Sequence, residues 1–296
     1  MIRQVPKIFF TLVMLAVLGA CSGDDSTTIN IEAPSNNGGD SSGGDSSGGD
    51  SGGDSGGETP AECPAGTSEV SEGLCELPAT VDSDLTLTSG VSYLMTDRVT
   101  VGNGNGQLET NGDGTLDDGS AVQSVTLTIE AGVEVRGKTG TFANLLITRG
   151  SKIMAMGTAD APIVFSADDV GDDGSGEWGG LIIHGYAPHN ECAVGGSYCD
   201  IDSEGESGFA GGYDPDDSSG VLRYVVVAEG GYEFSTGNEI NGISLVGVGR
   251  ATEMDYIQVH GNSDDGIEFY GGNVNVKHGV FTNNNDDSVD WDEGYQ

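Results

Sequence analysis

Acidic side chains crowd the end of the chain in two sets: Asp264, Asp265 and Glu268, then Asp286, Asp287, Asp290, Asp292 and Glu293. In a chain that coils with a period of 22 residues the sets fall in register. Asp264 then lies over Asp286, Asp265 over Asp287 and Glu268 over Asp290. Stacked strands are about 4.8 Å apart, and carboxylates at that spacing repel unless protonated or bridged by a cation. Calcium takes about six to eight oxygens at roughly 2.3–2.6 Å, so these six acids are candidate calcium ligands. The same groups admit catalysis: inverting glycoside hydrolysis uses two carboxyl groups about 6.5–9.5 Å apart. The plainer alternative is that some of them occupy solvated turns.

A second candidate lies upstream in ETNGDGTLDDGS. With Glu109 as position 1, Asn111, Asp113, Thr115 and Asp117 take positions 3, 5, 7 and 9 of an EF-hand-like loop, and Gly114 takes position 6. The segment resembles dockerin-type calcium loops, which makes Asn111, Asp113 and Asp117 candidate ligands. It departs from them in two places: Glu109 replaces the usual Asp, and Ser120 stands where a bidentate acid belongs. A glycine-aspartate hairpin loop is the competing reading.

The elements that must position these groups are short and strand-like. SVTLTIEAGVEV, PIVFSA, GLIIHG, LRYVVVAEG, GISLVGVG, MDYIQVHG, GIEFYGG and VNVKHGVF are alternating or β-branched runs bounded by turn residues. Asn241–Leu245 aligns with Asp265–Phe269 at an offset of 24, and Asp264–Phe269 aligns with Asp286–Trp291 at 22. A period of this size fits one coil of a parallel β-helix. It stacks Ile243, Ile267 and Val289 inside, with Leu245, Phe269 and Trp291 as a second inward row.

The stretch LLITRGSKIMAMGTADAPIVFSA, with GEWGGLIIHG, NEINGISL, DDGIEFYGG and DDSVDWDEGY, resembles a group of bacterial lipoproteins. The resemblance covers about residues 120–296. It implies an all-β, right-handed parallel β-helix of the pectin-lyase-like kind, and no established activity. The paired aspartates are similar to those of β-helical polygalacturonases, but that family's histidine-bearing GHG and basic segments have no counterpart. His184, His260 and His278 sit in or beside strands without a motif. Arg223, Arg250 and Lys277 are the bases a lyase would need. Residues Ala187 to Ser219 read as a loop leaving one coil. No cap follows Trp291, so the expectation is a truncated fragment or a last coil covered by a partner.

Ten Lys and Arg face 48 Asp and Glu, a formal net charge of -38. Such a surface repels phosphate backbones, which excludes nucleic acid as a partner, and it would also be repelled by anionic lipid head groups. At the start of the chain Arg3 and Lys7 precede the apolar run Ile8–Val17 and the sequence LGAC ending at Cys21. This is a secretory signal, too short to span a bilayer as a helix. LGAC resembles the lipobox of bacterial lipoproteins, which implies cleavage before Cys21 and lipid on its thiol. Ser22, rather than Asp, follows it, which points to the outer membrane. With Cys21 assigned to lipid, the other four cysteines allow three connectivities, of which the two local pairings, Cys63 with Cys75 and Cys192 with Cys199, are favoured in an oxidising compartment.

Ser, Gly, Asp and Asn dominate residues 22–60, which have almost nothing to bury. Their root-mean-square reach as a flexible tether is roughly 35 Å. The expected organisation is a signal peptide at 1–20, a tether at 21–62 and an N-terminal cap region at 63–120. The β-helix follows at 121–296, with an inserted loop at 187–219. Together these features predict a lipid-anchored cell-envelope protein. Its calcium-stabilised acidic β-helix would serve binding, adhesion or structure toward an extracellular or periplasmic glycan or protein. The alternative is a polysaccharide lyase or glycoside hydrolase of the same fold.

Overall fold

The computed structural model describes residues 61–109, 114–169, 174–202, 204–235 and 239–296. Cys21, the tether up to residue 60, and Asn111 and Asp113 lie outside the described residues.

An antiparallel pair, β1 (Ser68–Ser71) with β2 (Leu74–Glu76), opens the fold, and the coils that follow pair in parallel. Each complete coil supplies three segments. The first row stacks β4 (Leu85–Leu87), β7 (Thr126–Ile129) and β10 (Lys152–Met156) on the leading halves of three long strands. Those strands are β15 (Gly220–Ala228), β17 (Glu253–His260) and β19 (Asn275–Thr282). The second row stacks β2, β5 (Ser92–Met95), β8 (Glu134–Gly137) and β11 (Ile163–Ala167) on the trailing halves of the same three. The third contains β3 (Thr80–Val81), β6 (Val99–Val101), β9 (Leu145–Ile147), β12 (Leu181–His184), β16 (Ile243–Val246), β18 (Ile267–Tyr270) and β20 (Val289–Asp292).

Alternation along each strand sends one set of side chains inward, and parallel pairing turns each inward position into a column. One column runs Val81, Val101, Ile147, Ile183, Leu245, Phe269, Trp291. Another runs Cys75, Tyr93, Val135, Phe165, Val227, Val259, Phe281. The 24- and 22-residue registers therefore hold, with Ile243 over Ile267 over Val289. Burial differs from expectation at the last member of each row. Val289 is 38% and Trp291 62% exposed, because no later strand stacks on β20. Parallel pairing begins at β2, upstream of residue 121, where the sequence places the start of the helix. The early strands are only two to four residues long, too short for periodicity to register.

Both cysteine pairs are disulfides, Cys63–Cys75 and Cys192–Cys199. The insertion between β12 and β15 is more than a loop. Its hairpin, β13 (Ile201–Asp202) with β14 (Phe209–Ala210), packs on the outer face of the third row, where Val246 and Tyr270 join Cys199, Ile201 and Ala210. Arg149 fastens it. Fully buried, it pairs with Asp200 at 3.0 Å and donates to the carbonyls of Gly104, Gly106 and Cys199. His184 is buried between the Phe209 carbonyl and the Ser207 hydroxyl, each 3.1 Å away. Burial pushes its pKa down to about 3, so it is a neutral strut for the insertion.

Two kinds of corner join the first and second rows. In β15, β17 and β19 the corner is a single residue in left-handed conformation: Tyr224 (φ 49°), Tyr256 (φ 56°) and His278 (φ 49°). Their rings stack, with centroids 4.4 Å apart in both pairs. Between β4 and β5, and between β7 and β8, a glycine (Gly90, Gly132) supplies the positive φ instead.

Candidate metal centre

The acidic corner precedes the third-row strand in the last three coils. Asn241, Asp265 and Asp287 each begin a turn of Asn/Asp, Gly/Ser and a β-branched residue. Backbone bonds lock the turns together: Gly242 N–H donates to the Asp265 carbonyl and Gly266 N–H to that of Asp287, both at 2.9 Å. Asn262, three residues before Asp265, donates to the Asp265 carbonyl at 2.8 Å, and Asn284 accepts from the Asn262 N–H at 3.2 Å. These asparagines were not among the sequence candidates. Their signal is the Asn at the same position before each turn, at 238, 262 and 284.

Side chains at equivalent places differ by one atom type, and that difference makes the site. In the upper coil the Asn241 amide nitrogen donates to Glu268 Oε2 at 2.6 Å, to the Tyr270 hydroxyl at 3.1 Å and to Ser244 Oγ at 3.3 Å. One coil down, Asp265 takes the place of Asn241 and Asp290 that of Glu268. An amide–carboxylate contact becomes a carboxylate–carboxylate contact. Asp265, Glu268 and Asp290 bring one oxygen each within 4.8 Å of one another, and so do Asp264, Asp265 and Asp286. Asp265 and Glu268 are 7% exposed, Asp264 is half-buried and Asp286 is exposed. Asp287 is exposed too, and it enters through its N–H, which donates to Asp265 Oδ1 at 2.7 Å.

Burial, then Asp264, Asp290 and Asp286, push the Asp265 carboxyl up to about 6 against the opposing Asp287 N–H. Asp292 is raised as well, by burial and by Glu293 and Asp290. The register therefore gathers five of the six proposed acids, with Asp287 turned outward. Clustered oxygens of this kind can bind a metal ion.

The other sequence candidates are dispersed. Asp117 is exposed on a hairpin closed by a Leu108–Leu116 bridge, in which Glu109 N–H donates to the Thr115 carbonyl at 2.8 Å. Arg223 pairs with Glu253, and Arg250 with Asp216. Arg223 and Lys277 share a first-row column with Asp255, with the whole second row between them and the acidic corner. His278 Nδ1 donates to Asp255 at 2.7 Å, and His260 faces Thr282 at 2.8 Å. A third acidic group, Asp169, Glu177 and Glu229, is assembled from distant segments and was not legible in sequence.

The profile of the pectate-lyase-like β-helix domain matches residues 80–296. No curated protein and no solved structure matches the chain.

Proposed function

The chain belongs to the pectate-lyase-like β-helix family, and from that premise we propose a non-catalytic envelope module whose acidic corner is closed by calcium. The observation that carries this reading is the exchange of Asn241 for Asp265 between equivalent places. Where the upper coil has an amide nitrogen, the lower one needs a proton or a cation. The donor set is all oxygen, from Asp264, Asp265, Glu268, Asp286 and Asp290, which suits a hard divalent ion with many ligands. Bound there, calcium would tie the last two coils together. The acidic surface, lifted from the membrane on a tether from a lipidated Cys21, would then be free to meet a glycan or protein of the cell envelope.

Each trio of carboxylates brings one oxygen per residue within 4.8 Å, the close grouping that a single hard cation takes as ligands. Arg223 and Lys277, two of the bases a lyase would use, stand on another row, and Arg250 is paired with Asp216. Both points favour binding or structure over polysaccharide cleavage.

Thermal unfolding in calcium and in chelator tests the site. At a hundredfold excess over Kd a bound ion adds about 2.7 kcal/mol, a rise of roughly 5–10 °C for a domain of this size. Asp265→Asn restores the amide and should abolish that rise while stabilising the chelated protein by about 1–2 kcal/mol at pH 7. An unchanged melting temperature in calcium removes the proposal. Release of unsaturated or reducing ends from acidic polysaccharides would instead establish the enzyme.

A further inference from the structure

Two phenols meet at the corner between the first and second rows. Arg223 pairs with Asp255 and Val225 with Ile257, so Tyr224 and Tyr256 stand at the same place in consecutive coils. Their ring centroids are 4.4 Å apart and their planes 6° apart, a face-to-face stack. The backbone is left-handed at both, φ 49° and 56°, which repeats one side-chain direction in the two coils. Partial burial, then the adjoining Tyr256 phenol and the hydrogen bond between the two hydroxyls, hold the Tyr224 pKa above its usual range. The ring carbons ortho to the hydroxyls are therefore neighbours as well. His278 stacks on Tyr256 too, its centroid 4.4 Å away. Tyr256 is 41% exposed and Tyr224 half-buried, within reach of a reagent in solution. Stacking by itself needs no hydroxyls, and the ring pairs Phe142–Phe234 and Phe269–Tyr295 have at most one. The two disulfides are products of an oxidising environment.

We propose that Tyr224 and Tyr256 are a modification site, joined as dityrosine across two coils by a one-electron oxidant of phenols, namely a haem peroxidase acting with hydrogen peroxide. Each phenol loses an electron to the oxidised haem and its hydroxyl proton to water. The two radicals couple through a new carbon–carbon bond between ring carbons ortho to the hydroxyls. Each joined carbon then releases its hydrogen as a proton and each oxygen regains one, which restores two phenols. Two hydrogen atoms leave the protein in all, and one hydrogen peroxide becomes two waters. Stacked rings present their π faces to each other, the direction from which ring radicals combine, and the fold supplies that proximity in advance. The link ties β15 to β17 and involves none of the acidic corner.

The test is oxidation of the full-length protein in dilute solution with hydrogen peroxide and a haem peroxidase. The expected product is monomeric, fluoresces as dityrosine and is lighter by two hydrogens, and its digest links the peptide holding Tyr224 to the one holding Tyr256. Tyr224→Phe and Tyr256→Phe keep the stack and should each lower the fluorescence of the monomer by about tenfold or more, because only chance encounters of other tyrosines remain. Tyr213→Phe, at a tyrosine 36% exposed whose hydroxyl is held by the Ala193 carbonyl, should leave it unchanged. Near-ultraviolet circular dichroism confirms that each variant is folded, and if one Phe variant does not fold the other decides. Absence of dityrosine, undiminished fluorescence in Tyr224→Phe or Tyr256→Phe, links among other tyrosines in place of this pair, or links only between molecules overturns the proposal. The reaction needs no calcium bound to this chain, so its failure leaves the acidic corner untouched.

Discussion

Two corners of the same coils show what stacking does to unlike side chains. At one, Tyr224, Tyr256 and His278 lie over one another in near-parallel planes, 6° and 11° apart. At the other, Asn241, Asp265 and Asp287 occupy equivalent places in the turns before β16, β18 and β20. The backbone repeat is indifferent to what it stacks, and chemistry decides the outcome. Rings gain dispersion contacts from their neighbours, enough to hold three non-glycine residues in a left-handed conformation that costs roughly 1–2 kcal/mol each. Carboxylates repel at the same spacing, so the acidic corner depends on something added from outside: a proton, an ion, or the amide that Asn241 supplies.

The comparison breaks most sharply if the amide is removed. Asn241→Asp would put a fully buried carboxylate against Glu268 where a 2.6 Å donor had been. In chelator the variant should lose about 3 kcal/mol or more, with much of the loss recovered in calcium, read from urea unfolding in both buffers. A loss independent of calcium would mean that the two rungs do not act as one site.

The aromatic corner is tested at its middle ring. Tyr256→Ala should cost about 1–3 kcal/mol from two stacked contacts. Tyr256→Gly should cost about 1 kcal/mol less, because glycine adopts the 56° φ without strain. Chemical denaturation showing Gly no better than Ala would remove backbone strain from the account.

The smallest effect is in pH, and its sign differs between the corners. The Asp265 carboxyl lies at about 6 in the folded chain against 3.8 ordinarily. Its contribution is therefore complete below about pH 4 and is lost as pH rises through about 6. Asp255 moves the other way: the hydrogen bond from His278 holds its carboxyl below the usual range, so its contribution is present above that range and is lost on acidification. In chelator, Asp265→Asn should remove the decline in stability between about pH 4 and 6, and saturating calcium should do the same to the parent protein. A pH profile in Asp265→Asn identical to the parent's would contradict this.

Much of the helix was legible in sequence because its causes are local or strictly repeated. Alternation sets inward and outward faces, and the repeated turns from Asn241 to Trp291 give the register to the residue. The upstream coils were not legible, since strands such as Thr80–Val81 offer no period to read. Nor was the docking of the insertion, which rests on one buried arginine meeting carbonyls more than forty residues away on either side.

The sequence by itself determined the β class of the chain and that the acids at 264–268 and 286–290 recur in step, and it favoured the local cysteine pairs over the other connectivities. Local loop closure and side-chain period are enough for that. Only the tertiary structure decided that the two aspartate pairs are unequal, with Asp265 buried under an asparagine and Asp287 exposed. It alone also joined the insertion to the coils, through Arg149 reaching Asp200 and the Cys199 carbonyl. Position within a stack sets burial, field and partners, and position in the stack is a property of the coil above and the coil below.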